Sequence, residues 1–210
     1  MTDTLHQPET PGVVIGNHCH KYTTGNPAIR WLTDRFLGRL DRVLDQAWAE
    51  HPPTAVLEVG CGEGEIVRRL TARGAHVTGL DLPDAGLRTH WTAVPHADFL
   101  HADAQRPPFP DDAFDLTVSV EVLEHVADPA LTLLQMARVT RHDLILSVPR
   151  EPIFRSGNLA TGRHVRTLGN TPGHLNHWTA TAFRRFAANV GHVHTIELPL
   201  PWTILWIQLP

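Results

Sequence analysis

Val56 to Gly64, VLEVGCGEG, is the stretch whose reading decides the fold of this chain. Val56, Leu57 and Val59 suit a strand covered on both faces. Gly60, Gly62 and Gly64 then remove the side chains that would keep a ligand away from the backbone, and a helical pattern follows. The stretch reads as a buried strand, a glycine turn and a helix whose N-terminus is open to a ligand. A dinucleotide fingerprint, G-x-G-x-x-G, counted from Gly60 would need glycine at the sixth position, where this chain has Glu65. Glu58 and Glu63 add negative charge around the turn, which repels a pyrophosphate. A ligand carrying an ammonium or sulfonium group and no phosphate suits these acids, and S-adenosylmethionine (SAM) is such a ligand.

Outward from the turn, strand and helix patterns alternate. On the N-terminal side, Asn26 offers an N-cap and Pro27 a first helical residue. Ile29, Leu32, Phe36, Leu40, Val43, Leu44 and Ala47 form one apolar stripe that Pro52 and Pro53 terminate. On the C-terminal side, Ile66, Val67 and Leu70 predict a helix, His76–Leu80 a strand, Ala85–Ala93 a weak helix and Ala97–Leu100 a third strand. Leu116–Val120 and Asp143–Val148 read as strands four and five, flanking a helix capped by Asp128 with Leu131, Leu134, Met136 and Val139 inward. Such alternation implies a parallel sheet with helices on both faces. Glu151 to Trp178 has little periodicity and reads as a long functional loop. Phe183, Phe186 and Val190 mark a last helix, before strands at Val193–Leu198 and Thr203–Leu209.

Composition bounds the rest. The 210 residues, 42% of them hydrophobic, bury one proper core, so a single domain over 1–210 is expected. Within it lie an N-terminal arm and helix (1–50), a cofactor core (55–148) and a substrate-side loop (151–178). A net charge of −4 gives no footprint for nucleic acid. Two cysteines, Cys19 and Cys61, form no disulfide framework, which suits a reducing compartment. MTDTLHQPET lacks a signal-peptide pattern, and the apolar Pro199–Pro210 is too short to span a bilayer, so a cytoplasmic protein is expected. His18, Cys19 and His20 read as spaced residues of a flexible arm. The oligomeric state is left open.

VLEVGCGEG resembles motif I of the class I SAM-dependent methyltransferases. FDLTVSVEVLEHV (Phe114–Val126) resembles the post-strand motif of the type 11 group, and VTGLD, HADAQ and LILSVP extend the resemblance over about Ala55 to Val148. The resemblance implies a Rossmann-like, seven-stranded, mostly parallel sheet, with SAM over the carboxyl ends of the first strands and a small-molecule acceptor above the fourth and fifth. The cofactor residues it implies are Glu58 beside the methionine portion, Gly60, Cys61, Gly62 and Gly64 in the turn, and Asp81 with Leu82 at the ribose. Asp103 with Ala104 at the adenine and Glu121 near the cofactor complete the set.

Methyl transfer is an in-line displacement that depends on proximity and orientation, and a hydroxyl acceptor must also lose a proton. His125, His174 and His177 are the catalytic candidates, the last two in GHLNHW, where a histidine holding the loop is the alternative role. Glu121, Glu124 and His125, at i, i+3 and i+4, share a face if they lie on a helical turn. Their pattern resembles the metal site of ubiquinone-pathway and small-RNA O-methyltransferases, which add a histidine from a later loop. The same string occurs in metal-free relatives, and no metal is expected here. Tyr22 closing over the cofactor, and Arg155, Arg163 and Arg166 gripping an acidic acceptor, are balanced by packing and solvation. The reading is methyl transfer to a small molecule, O-methylation ahead of N- or C-methylation. The alternative is a SAM-binding protein that transfers no methyl group.

Overall fold

The computed structural model describes residues 25–84, 86–160, 171 and 173–210. Strands β1 (Ala55–Val59), β2 (His76–Asp81), β3 (Ala97–His101), β4 (Phe114–Val120), β5 (Thr140–Pro149), β6 (His192–Glu197) and β7 (Trp202–Gln208) form one sheet in the order β3-β2-β1-β4-β5-β7-β6. β3, β2, β1, β4 and β5 pair in parallel, while β7 runs antiparallel to both β5 and β6. The chain thus steps outward from β1 to β3 and returns to β4 on the other side of β1. That reversal opens a crevice beyond the carboxyl ends of β1 and β4, where ligands of open α/β sheets bind.

Helices cover both faces: α1 (Pro27–Glu50), α2 (Glu65–Thr71), α3 (Leu87–Trp91), α4 (Pro129–Val139), α5 (Ile153–Ala160) and α6 (Ala180–Ala187). Strand alternation separates two cores. Val56 packs with Phe36, Leu40, Ile66 and Leu70 in one, while Leu57 and Val59 pack with Leu133, Met136 and Phe183 in the other. Full burial of each such side chain contributes roughly 1.5–3 kcal/mol.

α1 begins as its sequence predicts, with the Asn26 side chain accepting from Ala28 N at 3.0 Å and Ile29 N at 3.4 Å. Its far end is pinned by buried Asp143, which lies 2.9 Å from His51 Nδ1 and accepts from Trp206 Nε1 at 2.6 Å. Nearer the crevice, Phe36 packs on Trp202 with ring centroids 5.0 Å apart, and Arg39 pairs with Glu197 at 2.8 Å.

Two expectations are corrected. In α4, Leu134 is 56% exposed and Leu133 faces the core, because an inward Met136 and Val139 place position 133, not 134, on their stripe. The segment after Pro149 is not loop throughout: α5 forms at Ile153–Ala160. Its polar composition hid a helix that needs only one apolar side. Tyr22, His18, Cys19, His20, Arg163 and Arg166 lie outside the described residues. Among those described, no helix is long and apolar enough to cross a membrane.

Candidate functional site

β1 ends at the glycine turn, where Gly60, Gly62 and Gly64 have φ of 74°, 49° and 82°. L-residues resist this left-handed backbone, so glycine is required for conformation as much as for access. Gly60 N and Cys61 N donate to Leu80 O at 2.7 and 3.1 Å, fastening the turn to the end of β2. A Cβ on Gly60 would run into the Val122 side chain, so the segment after β4 lies directly against the turn. Cys61 is buried, and burial with the nearby Glu58 and Asp81 charges pushes its thiol far up, so the thiol is not a nucleophile.

The acids around the turn are arranged for a cationic ligand. Asp81 accepts from Gly62 N at 2.6 Å through Oδ2 and from Leu82 N at 2.7 Å through Oδ1. Burial raises its pKa, and those two backbone donors oppose the rise without cancelling it. Glu58 is 2% exposed, its Oε2 has no hydrogen-bond partner, and burial followed by the Asp81 charge pushes its carboxyl well above the usual range. A buried carboxylate oxygen without a partner is costly alone and becomes favourable once a cation reaches it. A phosphate would worsen the same imbalance. The residues therefore fit SAM, a cation without phosphate. Ala102 N donates to Asp81 O at 2.9 Å, which sets the turn after β3 beside β2. Asp103 heads that turn, exposed, with Gln105 N on its Oδ1 at 2.8 Å and Ala104 next to it.

The acceptor side differs from expectation. Residues 121–126 make a turn rather than a helix, with His125 N donating to Val122 O at 2.9 Å. Glu121 has φ 58°, and its Oε1 accepts from Trp202 Nε1 at 2.5 Å. Glu124 and His125 instead meet His174: one ligand atom from each of the three lies within 4.8 Å of the others. Glu121 and His177 are outside that group, and His177 is exposed. His125 Nδ1 lies 2.9 Å from Gly173 O. A carbonyl only accepts, so Nδ1 carries the proton in this contact. His174 meets the His125 ring edge to face at 4.9 Å and stacks on Phe154 at 5.5 Å.

What holds GHLNHW there is Asn176. Its Nδ2 donates to Leu123 O at 3.0 Å and Val126 O at 2.8 Å, while Leu175 N and Asn176 N converge on Glu124 O at 2.7 and 3.0 Å. Asn176, Phe154 and Trp202 escape a reading of the sequence, since their partners lie far along the chain. Arg155, in α5, is tied through its backbone N to Glu151 Oε2 at 3.3 Å.

A family model described as a methyltransferase domain matches residues 57–148. An uncharacterized methyltransferase of Mycobacterium bovis is 30% identical over 153 residues, 71% of each chain. The ubiquinone biosynthesis O-methyltransferase of Maricaulis maris is 36% identical over 94 residues, 41% of this chain, and the match spans only 36% of that enzyme's own length. Among solved structures, magnesium protoporphyrin IX methyltransferase from Synechocystis with bound S-adenosylhomocysteine superposes with a TM-score of 0.67 at 17% identity, covering 91% of this chain and 92% of that one. That likeness establishes the fold.

Proposed function

The chain belongs to the class I SAM-dependent methyltransferases, and on that premise we propose that it transfers the SAM methyl group to a hydroxyl oxygen of a small-molecule acceptor. The observation that carries the acceptor chemistry is the meeting of Glu124, His125 and His174 within 4.8 Å at the crevice. Val122, three residues before His125, lies against the glycine turn. The O-methyltransferases matched over part of their length support the same class of acceptor.

When bound, SAM supplies an electrophilic methyl carbon on a sulfonium. The chain's own work is orientation and proton management. His125, its Nδ1 held by Gly173 O, is the base that takes the acceptor's hydroxyl proton as the oxygen becomes nucleophilic. Glu124, buried beside both imidazoles, stabilises the imidazolium that results. Phe154 and the His174 ring offer an aromatic wall against which an acceptor is laid. Cofactor contacts fall to Glu58, Gly60, Cys61, Gly62, Gly64, Asp81, Leu82, Asp103, Ala104 and Glu121.

A second reading has a specific observation in its favour: Glu124, His125 and His174 also make a donor set for a divalent ion, with His125 braced through its other nitrogen as metal-binding histidines are. Chelation followed by labelled SAM and a panel of hydroxylated acceptors separates the readings. Label transfer that survives exhaustive chelation is the expected result. Transfer lost with chelator and restored by magnesium or manganese, SAM binding intact throughout, would replace the acid–base reading by the metal one. SAM binding with no transfer to any acceptor, with or without metal, would leave a SAM-binding protein that is not a transferase.

A further inference from the structure

The glycine turn is gripped from a side that its own motif does not encode. Gly62 is buried, and while its N–H is held by Asp81, its C=O accepts the indole Nε1–H of Trp91 at 2.8 Å in a buried hydrogen bond. Trp91 closes α3, 29 residues along the chain. It is 9% exposed, stacked on Phe99 at 4.8 Å and 11°, and tilted against His101 at 4.5 Å. Phe99 fills the space that two glycines leave: a Cβ on Gly79 would lie 2.8 Å from its ring, and one on Gly64 3.5 Å. His101 Nδ1 is 3.2 Å from Leu82 O, which links the same aromatic group to the residue after the ribose acid. A looser tether joins His90 Nε2 to Glu63 Oε1 at 3.9 Å.

Gly62 has the widest backbone freedom of any residue type, and a turn built on three glycines has no intrinsic reason to keep one shape. The trans peptide makes the Trp91 contact directional. With the Gly62 carbonyl aimed at the indole, the Glu63 N–H on the same planar unit points to the opposite side of the turn. Both polar atoms of Gly62 are then fixed, and the turn is shaped before any ligand arrives. A site populated in its competent shape only a fraction of the time binds with affinity reduced by that fraction.

We propose that Trp91 is a positioning residue for the cofactor: its indole N–H holds the Gly62 peptide in the SAM-binding shape, while its ring serves as the packed support. The inference rests on SAM being the ligand of the glycine turn. A neutral hydrogen bond of ordinary strength corresponds to roughly a three- to tenfold change in an equilibrium constant.

The test replaces Trp91, one of six tryptophans, site-specifically with the benzothienyl isostere, which keeps the stacked bicycle and lacks the N–H. Trp91→Phe and a ring-fluorinated tryptophan that keeps the N–H complete the set. SAM affinity is measured by calorimetry, cofactor-free thermal stability by scanning, and amide exchange over the peptide spanning Val59 to Gly64. The isostere is expected to weaken SAM binding roughly three- to tenfold and to speed exchange in that peptide, with a melting temperature close to that of the unmodified protein. The fluorinated residue is expected to restore both. Wild-type affinity and unchanged local exchange in the isostere would overturn the inference, as would a loss shared equally by the fluorinated residue. Failure of the unmodified protein to bind SAM would defeat the cofactor reading and this inference with it.

Discussion

If Glu58 meets the SAM ammonium group, as proposed, it ties stability to cofactor affinity, and pH is the perturbation that exposes the tie. Its carboxyl is held well above the ordinary 4.5, first by burial and then by the Asp81 charge, with a backbone contact from Val67 opposing. An acid raised in the folded state favours folding below its unfolded pKa, and that contribution is lost as pH climbs through the folded value. The cofactor-free protein should therefore lose stability from this group as pH rises from mildly acid conditions. SAM binding should do the reverse, because its ammonium group favours the carboxylate and expels the proton. Between the bound and free pKa values, affinity is expected to rise by up to tenfold per pH unit, about 1.4 kcal/mol, with up to one proton released from Glu58 per SAM bound. Glu58→Gln keeps the shape and removes the titration. It should raise the cofactor-free melting temperature, at roughly 2–4 °C for each kcal/mol gained, while weakening SAM binding and flattening its pH dependence. Calorimetry in two buffers of different ionisation enthalpy counts the released protons directly. A binding enthalpy independent of buffer, together with an affinity flat across mildly acid to neutral pH in the wild type, would refute the placement of Glu58 at the ammonium group.

Asp81→Ala removes an acceptor shared by Gly62 N and Leu82 N; SAM affinity should fall roughly 10- to 150-fold, the worth of a charged hydrogen bond, as read by calorimetry. Gly60→Ala meets both a φ of 74° and the Val122 side chain; a loss of about 1–3 kcal/mol or more in denaturant unfolding is expected. Asn176→Ala leaves Leu123 O and Val126 O without their side-chain donor; methyl transfer should drop at least about tenfold while SAM binding stays near wild type. Equal losses in transfer and SAM binding would show that the Asn176 contacts serve the fold as a whole.

The cofactor half of the crevice was legible in the residues themselves. The strand at Val56–Val59, the glycine turn and the apolar periods of α1 and α2 are specified by neighbours within a few positions, and backbone geometry turns that spacing directly into shape. Even the acids around the turn could be read for the charge of their ligand before any tertiary contact was known. The seven-stranded, mostly parallel sheet came instead from resemblance to relatives, and its strand order from the structure. The side of α4 that faces inward was misread at Leu134, because apolarity alone does not say which of two adjacent leucines meets the sheet.

The acceptor half belongs to the tertiary structure. Nothing near Glu121 in the sequence announces a left-handed backbone or a hydrogen bond to Trp202, 81 residues away. Glu121, Glu124 and His125 looked equivalent by spacing. The turn after β4 separates them, sending one carboxylate to Trp202 and the other, with His125, to His174. That division is enforced by Asn176 reaching carbonyls 50 and 53 positions back, and by Gly173 O holding Nδ1 of His125. Backbone carbonyls are present at every residue, so sequence gives no sign of which ones a distant amide will find. Local periodicity fixes where an element forms, whereas the direction of a functional side chain is set by whichever partners the folded chain brings within hydrogen-bond reach.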